Sequence, residues 1–308
     1  ATRITGRIVD DKSQQPLTNA VIFDGTNSAL TNSQGLFEIA REGVGEIKLQ
    51  VTKQGYEGKT IPVTIKEPSS LNPVGNVALL SRPDSIQLVF DCSKRPLNLE
   101  NVDAIKKIEP FAKALFDQQF AVRAVITPTL SSLEQTDVLI IASPSQSYSE
   151  TELRSIQSFV LKGGKLVVLG EWAGFAGFNL TATNQLLNPF GLQLSGDTLR
   201  ETQTGFLSIQ SFVPHPITEN LKLIQLYQSG SVQVSNPAFK GELLARTNAT
   251  SFHIASIGAY AVLATSLYGN GKVVVLGDTS LWLDEDSDKN GVVNYQEGNN
   301  FQLALQIM

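Results

Sequence analysis

The pattern of apolar and polar positions divides the chain in two. Up to about residue 80, short runs alternate. Ile4-Thr5-Gly6-Arg7-Ile8-Val9, Val21-Ile22-Phe23, Leu36-Phe37-Glu38-Ile39, Ile47-Lys48-Leu49-Gln50-Val51 and Thr60-Ile61-Pro62-Val63-Thr64-Ile65 each read as a strand. Turn residues separate them, at Asp10-Asp11-Lys12 and at Thr31-Asn32-Ser33-Gln34-Gly35. After a stretch broken by Pro68, Pro73 and Gly75, Val77-Ala78-Leu79-Leu80 reads as the last strand. Strands this short, with turns between them, predict a β-sandwich over 1–82. Arg82-Pro83-Asp84 marks the boundary.

Beyond it the period changes. Ile86-Gln87-Leu88-Val89-Phe90 predicts a buried strand, and Asn101 to Phe120 a helix that Pro110 would kink. Strands follow at Ala121 to Ile126 and Val138 to Ile141. Ser149, with Glu152 three residues later, opens a helix through a capping box, and Gly163-Gly164 ends it after Leu161. Leu166-Val167-Val168-Leu169 is wholly apolar, as a strand covered on both faces must be. Ala261 to Leu267 and Val273 to Leu276 predict two more strands, and Asn299 to Met308 a closing helix. The expected architecture is α/β (doubly wound, flavodoxin-like sheet) over 83–308, with a smaller N-terminal all-β sandwich domain. The chain stops at Met308 inside a helix without a cap, so a natural continuation is expected.

Composition narrows the function classes. Hydrophobic residues make up 42% and charged residues 17% of the 308, an ordinary globular balance. The 24 basic and 29 acidic residues give a net charge of −5 without a basic run, which argues against a nucleic-acid partner. No apolar stretch is long enough to span a membrane. Ala1 follows no leader pattern, as in a cytoplasmic protein or a mature exported one. Cys92 is the only cysteine, and His215 and His253 are the only histidines, so a soft-ligand metal site is nearly excluded.

Two families come into view from specific residues. Gly6-Arg7-Ile8-Val9-Asp10, Pro16-Leu17-Thr18-Asn19-Ala20-Val21-Ile22, Thr31-Asn32-Ser33-Gln34-Gly35-Leu36-Phe37 and Gly55-Tyr56 resemble, in order, the carboxypeptidase regulatory-like domain. That resemblance implies a transthyretin-like sandwich, an accessory module usual on exported proteins. Gly35 would supply a positive φ at a hairpin, and Phe37 would point inward.

Ser149-Glu150-Thr151-Glu152-Leu153, Phe159 to Leu169, His215-Pro216-Ile217-Thr218 and Gly277-Asp278-Thr279-Ser280 resemble the class I glutamine-amidotransferase-like fold. Within it they look most like the trehalose-utilisation-like proteins and a related family of unknown function found near gliding and transport proteins. In the amidotransferases a Cys nucleophile follows the strand matched by Leu166 to Leu169. Here that turn reads Gly170-Glu171-Trp172-Ala173-Gly174, with Glu171 in its place, and a carboxylate cannot perform thioester chemistry. No G-x-S-x-G turn substitutes for it.

The remaining candidates each have two readings. Cys92 is either a small buried residue at a strand end or a thiolate served by a histidine. His215 is either a helix-start residue before Pro216 or a general base beside Glu171, Asp91 or Asp278 at the strand ends. His253 reads as structural. Trp172, Phe175 and Phe178 either pack a loop over the sheet or form a platform for a sugar. The triplets Asn179-Leu180-Thr181 and Asn248-Ala249-Thr250 match a glycosylation pattern too common to carry weight.

The sharpest motif is Asp286-Ser287-Asp288-Lys289-Asn290-Gly291-Val292-Val293-Asn294-Tyr295-Gln296-Glu297, a complete EF-hand-type calcium loop. Asp286, Asp288, Asn290, the Val292 carbonyl, Asn294 and Glu297 would supply the hard oxygens that Ca2+ requires, and Gly291 the sharp turn. Thr279 to Leu283 leaves little room for an incoming helix, so the site is expected to be structural, weak and without a switch.

These features predict a non-catalytic, exported, calcium-binding protein with a binding or scaffold role in the secreted, periplasmic or cell-surface space. Its partner would be a glycan or an envelope protein. The alternative is a carbohydrate-directed hydrolase using Glu171 and His215 as acid and base, with Asp91 or Asp278 assisting. An intracellular scaffold is the third reading.

Overall fold

The computed structural model describes residues 2–53, 55–81, 85–94, 102–125, 129–130, 133–201, 206–248, 251–253 and 256–308. Seven strands make up the N-terminal part: β1 Thr2–Asp10, β2 Val21–Phe23, β3 Ser28–Leu30, β4 Leu36–Arg41, β5 Gly45–Thr52, β6 Lys59–Ile65 and β7 Leu71–Leu79. They form two sheets, β4-β1-β7 and β3-β2-β5-β6. The alternation read in the sequence turns Ile4, Ile8, Phe37 and Ile39 from one sheet, and Ile22, Leu49, Val51 and Val63 from the other, into a common core. Gly35 has φ +74°, and a Cβ there would lie 2.4 Å from the Ile8 carbonyl oxygen, so the hairpin needs glycine twice over.

The last strand is longer than the sequence suggests, running from Leu71 through Pro73 and Gly75. Pro73 is tolerated because β7 is an edge strand and its pairing with β1 slips register between Thr5 and Arg7. The Arg82-Pro83-Asp84 boundary lies outside the described residues.

The second part is built on an eight-stranded sheet. β8 Ile86–Asp91, β9 Phe120–Val125, β10 Val138–Ala142 and β11 Lys165–Leu169 run parallel, in the order β9-β8-β10-β11. Gly271–Leu276 joins parallel to β11. Its hairpin partner Ala261–Tyr268 then runs antiparallel, and Glu242–Arg246 and Ser211–Phe212 extend that edge. α1 is Val102–Asp117, α2 Glu150–Leu161, α3 Leu180–Leu187 and α4 Asn300–Ile307.

Alternate residues of the central strands face opposite helical layers. Val138, Ile140, Val167 and Leu169 share a core with Phe111 and Leu115 of α1 and Leu303 and Ile307 of α4. Leu139, Ile141, Leu166 and Val168 share the other with Ile156 and Val160 of α2 and Leu186 and Leu187 of α3. Coverage on both faces is what wholly apolar strands require. The architecture is α/β with an N-terminal all-β region.

Helix α1 continues through Pro110 to Asp117, and Phe120 already begins β9. The expected start at Asn101 and the strand end at Ile126 lie outside the described residues. The capping box of α2 is complete. Ser149 Oγ accepts the Glu152 amide at 3.3 Å, and Glu152 Oε2 accepts the Ser149 amide at 2.7 Å. Between α3 and the final hairpin, short strands such as Leu192–Leu194, Leu207–Ile209, Ile224–Leu226 and Val232–Val234 pair two by two. They form a layer over the strand ends that no periodicity announced.

Candidate functional site

In doubly wound sheets ligands bind at the carboxyl ends of the parallel strands, where loops diverge. Three carboxylates stand there, Asp91 closing β8, Glu171 following β11, and Asp278 following Gly271–Leu276. The fold places all three inside. Glu171 is 1% and Asp278 0% exposed.

Each carboxylate is held by local donors. Glu171 Oε1 accepts both the amide and the hydroxyl of Thr279. Asp278 accepts the Tyr227 amide at 2.7 Å and the Ser280 amide at 2.8 Å. Burial, and then the charge of Asp278, push the Glu171 carboxyl well up, while Thr279 works in the opposite direction. Burial also raises Asp278, against the pull of the Tyr227 and Ser280 amides. Two buried acids this close retain a proton where exposed ones would have lost it.

The crevice itself is filled by chain. Segment 227–231 crosses the strand ends with its backbone in contact with theirs. The Gly230 amide donates to the Gly277 carbonyl at 2.9 Å, and a Cβ on Gly230 would lie 2.7 Å from the Glu171 carbonyl oxygen. A Cβ on Gly277 would lie 1.9 Å from the Gly230 oxygen. Backbone packing of this closeness encloses the strand ends that carry Glu171 and Asp278.

Asp91 belongs to a separate network. Its Oδ2 accepts the Tyr148 hydroxyl at 2.6 Å and its Oδ1 the Ser93 amide at 2.9 Å. Burial raises its carboxyl. Lys94 pairs with Glu152 at 2.9 Å and lies 5.5 Å from the centre of the Tyr148 ring. Burial works against the Glu152 charge, but the amides of Leu130 and Ser149, with Lys94, outweigh it and hold that carboxyl at about 2. Asp91 therefore anchors the loops after β8 and β10.

His215 does not join these groups among the described hydrogen bonds. Its Nδ1 accepts the Ile217 amide at 3.0 Å and caps the short helix Pro216–Thr218, which packs on α4. The helix-start role is the one the geometry provides. The backbone of His253 pairs with Leu199, and its side chain lies outside the described residues. The aromatic run is not a shared platform. Trp172 covers Gly174, Phe178 packs on the α2–α3 core, and Phe175 alone is 38% exposed. Asn179 caps α3, accepting the Ala182 amide at 3.0 Å.

Cys92 lies beside Asp91, partly buried against the sheet–α1 core. Burial, and then the Asp91 charge, push its thiol far up, so it is a poor nucleophile. Native protein is expected to react with a thiol reagent at least about 100-fold more slowly than protein in urea, in keeping with a buried, inert Cys. Stopped-flow labelling at pH 8 checks this, and comparable rates would restore the nucleophile reading.

Sequence reasoning missed Asp197 and Ser231. Asp197 accepts the Ser231 amide at 2.6 Å and its hydroxyl at 2.5 Å, and Ser195 Oγ lies 2.8 Å from Ser231 Oγ. Nothing local marks these residues, since the contact spans 34 positions.

The loop after the strand ends differs in character. Asp286 accepts the Asn290 amide at 3.0 Å and the Gly291 amide at 2.9 Å, and Gly291 has φ +91° with open space around it. Glycine is required there for its conformation. Asn290 Nδ2 donates to Asp288 at 3.1 Å and to Glu297 at 3.1 Å. Among the described residues no three His, Cys, Asp or Glu side chains converge into a ready cage. Asn294 departs from its expected ligand role. It is fully buried, accepts the Ser287 amide at 3.1 Å, and donates to Ser280 O and Ser287 Oγ at 2.9 Å each. Its side chain braces the loop against the segment that precedes it. As expected, only a three-residue 3-10 turn, Ser280–Trp282, precedes the loop, and α4 follows it.

Tyr227 links the two regions. Its hydroxyl is buried and has no hydrogen-bond partner among the described residues. Burial, followed by Asp288, Glu297, Asp278 and Asp286 in that order, raises it. Carboxylates of both the strand ends and the loop thus act on this hydroxyl.

Comparison with known proteins follows the two-part architecture. The family described as CarboxypepD_reg-like domain matches residues 4–86. The mmIFT52 N-terminal domain superposes with a TM-score of 0.55 at 15% identity, covering 72% of this chain and 97% of that one, which establishes likeness of fold alone. Cytoplasmic protein STM1381 from Salmonella typhimurium LT2 gives 0.45 at 12% identity, covering 86% and 95%. A ThuA-like protein from Bacteroides uniformis ATCC 8492 gives 0.43 at 14%, covering 72% and 88%. No curated protein matches the chain significantly. The domain of unknown function DUF4350 matches residues 111–308, well over half of the chain, and the protein belongs to that family.

Proposed function

We propose that this protein is a non-catalytic, exported, calcium-stabilised binding or scaffold protein, acting at the cell surface or envelope on a glycan or another envelope protein. The observation that carries the reading is the state of the strand-end acids. Glu171 and Asp278 are buried, hydrogen-bonded to the chain and covered by segment 227–231. Catalytic acids must reach a substrate, and these brace loops. By the sequence resemblance Glu171 stands where an amidotransferase would place its thiol, and burial makes Cys92 a poor nucleophile. A carboxypeptidase regulatory-like domain supports an extracellular setting, and no helix among the described residues is long and apolar enough to cross a membrane.

The calcium part rests on donor chemistry. Asp286, Asp288, the Val292 carbonyl and Glu297 supply oxygen atoms, and Asn290 would join them by turning its amide so that Oδ1 replaces the Nδ2 that donates to Asp288 and Glu297, which completes the kind of set a hard cation takes. The turn around Gly291 already has the required sign of φ. The unpartnered Tyr227 hydroxyl beside the carboxylates is a further group that a hydrated ion would satisfy. The ion would neutralise like charges drawn together in a short loop.

Calorimetry with CaCl2 is expected to give one ion per chain with Kd on the order of 10⁻⁴–10⁻³ M. At the tighter end, 10 mM Ca2+ would then add about 2.7 kcal/mol of stability. EDTA should lower Tm, and Glu297→Gln should abolish the difference. A melt indifferent to chelator removes calcium from the proposal. A sub-micromolar Kd would instead favour the intracellular reading.

A further inference from the structure

We propose that the cavity between the N-terminal sandwich and α1 is a binding site for a neutral amphiphile, a small molecule with an apolar body and one uncharged hydroxyl head, which the Gln50 amide receives. The two parts of the chain meet at this place. The Gly55 amide donates to Gln87 Oε1 at 3.0 Å, and Thr60 Oγ1 to Glu109 Oε1 at 2.9 Å. Between the parts lies a cavity of ≈ 230 Å³. Its wall on the side of the large sheet is apolar, made by Phe90 of β8, Val122 and Ala124 of β9, and Ile108, Ala112 and Phe116 of α1. Val122 and Ala124, two positions apart, share the face of β9 that packs toward α1. Arg123 between them leaves the other face and bonds Thr136 Oγ1 at 3.3 Å, so its guanidinium is no part of this wall.

The sandwich contributes the polar side. Leu49 and Val51 of β5 are fully buried in the sandwich core. Gln50, between them, therefore points out of it. It pairs in register with Thr60 of β6, and the Thr60 hydroxyl reaches Glu109 of α1. This face of the hairpin is thus the one turned to the cavity, which both residues line. The Gln50 side chain is half-buried and makes no hydrogen bond among the described residues.

Charge and size define the ligand. Glu57, Glu109, Lys59 and Lys113 surround the cavity, two of each sign. Lys113 is held by Asp117 at 3.1 Å and Lys59 by the Ala78 carbonyl at 3.3 Å. Such a margin favours neither an anion nor a cation, and a charge carried into the apolar part would lose its hydration. A carboxamide both donates and accepts, which suits a hydroxyl. A dry cavity of about 150 Å³ holds benzene, so this one holds a body of roughly nine heavy atoms, the size of 1-octanol. The site does not depend on an ion in loop 286–297.

Calorimetry on the full chain with 1-octanol, octanoate, octylammonium and toluene tests this. 1-Octanol is expected to bind at least about tenfold more tightly than either ion. Gln50→Leu should weaken 1-octanol about fivefold and leave toluene, which has no head group, undiminished. Ala112→Phe, on the cavity face of α1, should abolish binding of both while the melt stays cooperative. Ala124→Leu repeats that test from the sheet wall should the first variant fail to fold. The proposal is overturned if folded wild-type protein binds no 1-octanol at millimolar concentration, or binds either ion as tightly. It is equally overturned if Gln50→Leu, folded, keeps the full affinity for 1-octanol, or if a folded cavity-filling variant binds 1-octanol and toluene undiminished.

Discussion

Between pH 5 and pH 8.5 the protein is expected to lose at least about 3 kcal/mol of stability, and Glu171→Gln should reduce that loss substantially. Glu171 and Asp278 both have folded-state pKa values raised by burial. In the unfolded chain they ionise in the ordinary range, near 4.5 and 3.8. Below that range both states are protonated, and the contribution to stability is fully present. As pH rises, the unfolded chain gives up its protons while the folded protein holds them, so stability falls until the folded pair itself ionises. One pKa unit is worth about 1.4 kcal/mol, so the rise of Glu171 to about 8 is enough to supply the figure. Glutamine keeps an oxygen to accept the Thr279 amide and hydroxyl, and has no proton to lose. Asp278 and Asp91 are raised by burial too and should leave a residual slope in the variant. Glu152 has the opposite sign, but its contribution is lost only in acid, as pH falls toward 2, below this interval. Urea midpoints at the two pH values measure the effect. Equal midpoints for the wild type would mean that the acids are not buried together.

Asn300→Ala is expected to cost about 4 kcal/mol and lower Tm by roughly 10 °C. Asn300, at the start of α4, is fully buried. Its Oδ1 accepts the Gln225 amide at 2.9 Å. Its Nδ2 donates to the carbonyls of Gln225 at 2.9 Å and Asn294 at 2.8 Å. One side chain thus satisfies backbone groups of the strand Ile224–Leu226 and of the turn that closes loop 286–297. Alanine would leave those groups buried and unbonded, each at about 1–3 kcal/mol. Asn299 is the internal control. It accepts the Lys222 and Leu223 amides at 2.9 and 3.0 Å but stands half-buried, so its alanine variant should cost less. Thermal melts of the two variants beside wild type decide the matter. An Asn300→Ala protein as stable as wild type would show that water satisfies these groups.

The loop gains a definite place from such contacts. Trp282, just before it, stacks on Phe111 of α1 with ring centres 5.1 Å apart. Tyr295, within it, and Phe301, after it, meet the same Phe111 ring edge-on at 6.2 and 6.1 Å. Lys107 pairs with Glu285 at 3.0 Å. An ion bound there would tie α4 to α1 and to the sheet below, coupling metal binding to the stability of the larger domain.

What could be read from the sequence was what local rules control. The capping box of α2, the left-handed glycine at Gly35 and the turn glycine at Gly291 each follow from residues within four or five positions. The strands of the sandwich and the apolar centre of the large sheet were legible because a face that must be buried repeats along the strand. Tertiary structure alone decided the rest. The short strands over the strand ends have three or so residues each, too few for a period to declare itself. Whether Glu171 and Asp278 would face substrate or be sealed away depended on segment 227–231, more than 45 positions distant from either. Asn294 and Asn300 look like polar loop residues in sequence, and became structural pins only when the chain folded around them. Burial and hydrogen-bond satisfaction are set by neighbours remote in the chain, so the same residue types that suggest chemistry in a sequence can serve packing in the fold.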